Sequence, residues 1–111
     1  MEEEILENAN ESLESGEDDL KKNRFNAAVA SFFRAIVNFT DYIIYKEIKI
    51  NIKNHAERFS LLNKYFPEIH EKIRKLFEKY KNSYKTRLTK QDVVEVRRYA
   101  YELKNTLANK K

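Results

Sequence analysis

FNAAVASFFRAIVNFTDYIIY, residues 25–45, is the stretch whose reading decides the fold. Taken at steps of three and four, Ala28, Phe32, Ala35, Phe39 and Tyr42 form one line. Val29, Phe33, Ile36, Thr40 and Ile43 form a second, with Phe25 and Val37 flanking. Two apolar stripes on one helix mean burial on two sides, so the other elements must pack around this segment. Arg34, Asn38 and Asp41 recur at spacings of four and three and share one polar edge, a candidate cleft position through which a ligand can reach the helix.

The 111 residues suit a single domain with one modest core. One glycine (Gly16), one proline (Pro67) and 36% charged residues leave few helix breakers and favour an all-α fold. Cysteine is absent, which excludes disulfides and thiolate metal sites. No leader is visible, and no apolar run is read as approaching the roughly 20 residues that span a bilayer. The expectation is a cytoplasmic protein without membrane contact.

Charge is unevenly spread. Residues 1–20 carry nine acids and no base, while residues 21–111 carry 22 bases against nine acids, a net +13. A basic body of this kind attracts phosphates, and an acidic segment can pack over it or mask it. The competing reading is a solvated helical surface with no charged ligand.

Outward from the central stretch, residues 4–22 read as an acidic first helix with Ile5, Ala9, Leu13, Gly16 and Leu20 on one face, joined by Leu6. Gly16 either breaks this helix, costing about 1 kcal/mol relative to Ala, or permits close helix approach. Asn23 is placed to cap the central helix, read over 24–47. The alternation in residues 48–53, IKINIK, has no partner strand in the chain, so a helix tail or extended crossover is expected. Asn54 caps a short helix over 55–66, with Ala56, Phe59, Leu62 and Phe66 inward and Tyr65 beside them. Pro67 opens a fourth helix to about residue 86, striped by Ile69, Ile73, Leu76, Tyr80 and Tyr84. Thr89 and Asp92 mark the start of a fifth helix carrying Val93, Val96, Ala100, Leu103 and Leu107. The spacing predicts an up-and-down bundle of about five helices.

Between Lys72 and Lys90 there are eight bases and one acid, Glu78. Lys72, Arg74, Lys75 and Lys79, joined by Arg97 and Arg98 of the next helix, are the candidate phosphate-binding set. Each phosphate they neutralise makes binding more salt-sensitive. Tyr80 and Tyr84 among them can stack on unpaired bases, or else belong to the core. His70 and Arg74 lie one turn apart and can share a phosphate, so His70 joins the cleft candidates; an exposed histidine without a role is the plainer reading. His55 reads as a pin for the crossover. Two histidines fifteen residues apart match no metal-ligand spacing, and Ser31, Ser60 and Ser83 lack a neighbouring histidine. No catalytic residue, metal or cofactor is expected.

The acidic first helix, the second helix NAAVASFFRAIVNFTDYII, the histidine-bearing segment NHAERFSLL and the helix ending LLNKYF together resemble the HEPN superfamily of prokaryotic helical domains, over about residues 3–108. The resemblance implies a homodimeric up-and-down bundle, often acting beside a minimal nucleotidyltransferase in toxin-antitoxin-like pairs, and ribonuclease or RNA- or nucleotide-binding activity. Catalytic members carry an Arg followed four to six residues later by His. No arginine of this chain has a histidine at that distance, so a non-catalytic binding module is expected. The alternative is a protein-interaction partner with no direct nucleic-acid contact. A tetratricopeptide-like hairpin, suggested by Phe25-Asn26-Ala27-Ala28 and Phe33-Arg34-Ala35, could not bury its faces as a single copy.

Overall fold

A computed structural model of the chain describes residues 2–109, with side chains described over 3–108. Five helices follow in order: α1 (Glu2–Lys21), α2 (Phe25–Ile48), α3 (His55–Tyr65), α4 (Pro67–Asn82) and α5 (Lys90–Asn109). Among the described residues there is no strand, so the all-α expectation holds. The four long helices alternate in direction. Arg97 of α5 bonds Glu17 of α1, and Leu107 and Leu6 line one cleft, which sets α5 antiparallel to α1. Lys79 of α4 meets Asp92 and Glu95 at the start of α5, and Lys72 lies over Tyr99 further along. The short α3 packs on α4 and α2.

Helix α2 touches each of the other four. Ala28, Val29, Phe32, Phe33, Ala35, Ile36, Phe39, Ile43 and Ile44 are buried along it, as two apolar stripes require. Thr40 interrupts the second stripe at no polar cost, because its buried hydroxyl donates to the Val37 carbonyl at 2.8 Å. By length and composition α2 is apolar enough to cross a membrane, contrary to the sequence expectation that no segment approaches a span; most of that stretch is buried inside the bundle.

Gly16 resolves in favour of close approach. Helix α1 runs through it unbroken, and a Cβ there would sit 2.7 Å from the ring of the fully buried Phe32. The opposite face of α1 presents Glu4, Glu7, Glu11, Glu14 and Asp18, a stripe of exposed acids at steps of three and four.

Several local expectations change. Asn23 does not cap α2; it takes a left-handed conformation (φ 60) after α1. Its amide donates to the Leu20 carbonyl and that of Arg24 to the Asp19 carbonyl, which closes α1 in a Schellman motif. Arg24 becomes the N-cap of α2, without a side-chain bond. Ile48 belongs to α2, whose end is closed by left-handed Lys49 bonding back to Tyr45, and residues 49–54 form an irregular crossover. Ala56 and Tyr65 are exposed rather than inward, since α3 turns Leu62 into the core and half-buries Phe59. Helix α4 stops at Asn82, four residues short, which removes Tyr84 from the buried stripe. The Asn54 and Thr89 caps are present: Asn54 accepts from the Glu57 amide at 2.9 Å, and Thr89 and Asp92 exchange bonds in a capping box.

Candidate nucleic-acid interface

One side chain ties the two turns at one end of the bundle together. Asn26, in the first turn of α2, donates through Nδ2 to the carbonyls of Ser83 (2.8 Å) and Thr86 (2.6 Å). Its Oδ1 accepts from the Leu88 amide at 2.9 Å. Both donor positions and the acceptor are used, so the α4–α5 turn is fixed against the α1–α2 turn. Sequence reasoning missed Asn26, because nothing local distinguishes an asparagine near a helix start from one that bonds residues about sixty positions away.

This clasp gathers Lys21, Lys22 and Arg24 from one turn and Lys81, Lys85, Arg87 and Lys90 from the other. Lys22 pairs with Asp18, Arg24 approaches Asp19 and Lys81 pairs with Glu78. Lys85, Arg87 and Lys90 are exposed and form no ion pair among the described residues. The clasped end is therefore a positive surface with bases not neutralised internally.

A column of rings runs from the core towards this end. Phe33 is buried and stacks on Tyr80 with centroids 4.7 Å apart and planes at 17°. Tyr84 meets Tyr80 edge-on at 5.5 Å and 86°, and their hydroxyls lie 3.0 Å apart. That hydrogen bond, with partial burial, raises the Tyr80 pKa, against the nearby positive charge of Arg34. Arg34, at the head of the polar edge of α2, is exposed, and its charge is felt at the Tyr80 hydroxyl.

The six bases singled out in the sequence do not form one field. Lys79 is turned inward, bonded to Asp92 (2.7 Å) and Glu95 (2.9 Å); these bonds raise its pKa and, with the Thr89 amide, lower that of Asp92. Arg97 lies on the far face of α5, bonded to Glu17, which also accepts from Tyr101 at 2.8 Å. Lys72 covers the ring of Tyr99, whose hydroxyl burial pushes up to a pKa of about 12. Arg74 is forked onto Glu71, an exposed pair of little net worth that a phosphate can displace. Lys75 and Arg98 are exposed and form no ion pair among the described residues.

The polar edge of α2 divides in the same way. Asp41 is half-buried and holds Arg58 of α3 through two bonds, 2.6 Å from Nε and 2.8 Å from Nη2. Arg58 Nη1 lies 3.1 Å from His55 Nδ1. Arginine only donates, so this nitrogen is the acceptor and the neutral ring carries its proton on Nε2. Partial burial and the charge of Arg58 hold the His55 pKa below its ordinary value. The ring lies against Phe59 and Phe77, which makes His55 the anchor between crossover and bundle. His70 lies edge-on to Phe59 at 5.8 Å, on the same aromatic seam. Asn38 is half-buried between Arg34 and Asp41 along the edge. Among the described residues no three histidine, aspartate or glutamate side chains are placed to hold a metal ion.

At the other end a largely apolar cleft of about 430 Å³ opens between α1, α2 and α5, lined by Leu6, Phe39, Tyr42, Ile43, Leu107 and Ala108 together with Asn10, Lys46, Glu47 and Lys104. Comparison with family models, curated proteins and solved structures gives no match to this chain. The site is therefore read from its own geometry.

Proposed function

We propose that the protein is a non-enzymatic module of HEPN type that binds RNA or nucleotide phosphates, and that its contact surface is the clasped end rather than the flank of α4. The observation that carries this reading is the Asn26 clasp, which sets Lys85, Arg87 and Lys90 beside the basic α1–α2 turn. Bases without internal partners are the ones whose neutralisation by phosphate costs no existing ion pair. On the flank, Lys79 and Arg97 would have to abandon carboxylates before binding, which leaves Lys75 and Arg98 as the unpaired bases of the original set there.

The test is the salt dependence of RNA binding in the full chain and two double variants. Lys85→Glu with Arg87→Glu is expected to weaken binding more than about tenfold and to flatten the slope against salt, at roughly 0.7 per lost single-strand phosphate contact. Lys75→Glu with Arg98→Glu, on the flank, is expected to change it little. The reverse order would move the interface back to α4 and α5.

A second reading rests on the apolar cleft at the far end, whose lining suits an apolar anchor from a partner such as a minimal nucleotidyltransferase. A complex surviving purification after co-expression, and lost on Leu107→Glu, would favour it.

A further inference from the structure

We infer that Tyr84 is a preset stacking platform for an unpaired base, which makes the ligand of the clasped end a single-stranded polynucleotide. The inference rests on the phosphate-binding reading of that end and adds the ligand class.

Tyr84 is 71% exposed, yet its position is determined. The turn that carries it is closed by backbone bonds: Ser83 to Lys79, Tyr84 to Lys81, and both Lys85 and Thr86 to Asn82. The Ser83 hydroxyl donates to the Tyr80 carbonyl at 2.6 Å, and Asn26 holds the same turn from outside. The ring is tied by its hydroxyl to Tyr80, which is itself stacked on buried Phe33. A large aromatic ring held out in water gains nothing from burial in the free protein. Held in this way it also loses little conformational freedom when a second ring lies on it, which is the advantage of a preorganised contact.

Its surroundings match one kind of ligand. Lys85 adjoins Tyr84 in the chain, Arg87 follows, and the charge of exposed Arg34 reaches the Tyr80 hydroxyl to which Tyr84 is bonded, so an exposed ring sits in a run of cations. A backbone of phosphates with bases free to turn outward satisfies both features; a duplex, whose bases are already stacked inside, satisfies only the first. Tyr80 cannot serve equally, because it is committed to Phe33 and lies nearly parallel to Phe77.

The experiment is fluorescence anisotropy with the full chain, using end-labelled ten-nucleotide oligo(U), its deoxy counterpart, and a ten-base-pair duplex, each at two salt concentrations. Single strands are expected to bind more tightly than the duplex. Tyr84→Ala should lower single-strand affinity about tenfold or more with an unchanged salt slope, and Tyr84→Phe, which keeps the ring but loses the hydroxyl tie, should fall between Tyr84→Ala and the parent. Lys85→Gln with Arg87→Gln should reduce the slope while preserving the preference for single strands. If Tyr84→Ala binds single strands as well as the parent, or Tyr84→Phe loses as much as Tyr84→Ala, the platform is overturned and the phosphate reading stands. Salt-dependent binding absent for every oligomer would overturn both. The ribo and deoxy arms tell which polynucleotide is preferred, and an unchanged melting temperature certifies each variant.

Discussion

The two sides of α2 are held by different physics. Towards α1 the contact is made of small and aliphatic side chains, Ala9, Leu13 and Gly16 against Phe32 and its line, with the helices close enough that Gly16 has no room for a methyl. Towards α3 and α4 it is made of rings, Phe33, Phe77, Tyr80, Phe59 and His55, and of the Asp41–Arg58 pair. Shape complementarity is indifferent to pH and salt, whereas an ion pair with an attached histidine is not. The side of rings and of the Asp41–Arg58 pair is thus the one whose stability depends more on solution conditions.

The largest expected break in this comparison is on the shape-held side. Gly16→Val should lower the unfolding free energy by about 3 kcal/mol, because the neighbour that must give way is a buried ring rather than a flexible chain end. Urea denaturation reads this directly, and a loss under about 1 kcal/mol would mean that α1 can move aside. On the ring side, Arg58→Ala should cost about 2 kcal/mol. It strands Asp41, 18% exposed, without its partner, and this site is wetter than the fully buried pairs whose rupture costs more.

The smallest effect is also the most diagnostic. The folded-state pKa of His55 lies below its unfolded value, so its neutral form is preferred in the native state. Its contribution is complete above the unfolded pKa of about 6.5 and is lost as pH falls towards the folded value, because the unfolded chain then binds the extra proton. Stability followed between pH 7 and 5 should decline less in His55→Gln, which can still accept from Arg58 but cannot titrate. Parallel curves for the two proteins would show that His55 is not coupled to the seam.

What could be read from the sequence follows from how local each signal is. The two stripes of α2, the Asn54 cap and the Thr89–Asp92 box are written within a few residues and are found in place. Asparagine serves both as an N-cap and as a left-handed C′ residue, and the three-residue turn between α1 and α2 needs the second at Asn23. Tyr84 continues the apolar spacing of α4 although the helix itself stops at Asn82. The basic set stands together in the sequence only by its density along the chain. Which bases keep their charge outward depends on carboxylates elsewhere, Asp92 and Glu95 for Lys79 and Glu17 for Arg97, and no local pattern records those meetings. Asn26 was invisible for the same reason, since its three partners lie 57 to 62 residues away.

The acid stripe on α1 has a consequence that acts before any contact. Glu4, Glu7, Glu11 and Glu14 run away from the clasped end along a molecule 38 Å long, several times the screening length of about 8 Å at physiological ionic strength. On the proposed reading, an approaching polyanion is repelled along that flank and drawn towards the exposed bases, Lys85, Arg87 and Lys90 at the clasped end among them. Such a layout narrows the orientations that collide productively and speeds encounter. Added salt should slow association far more than it hastens departure, so that the protein loses its aim before it loses its grip.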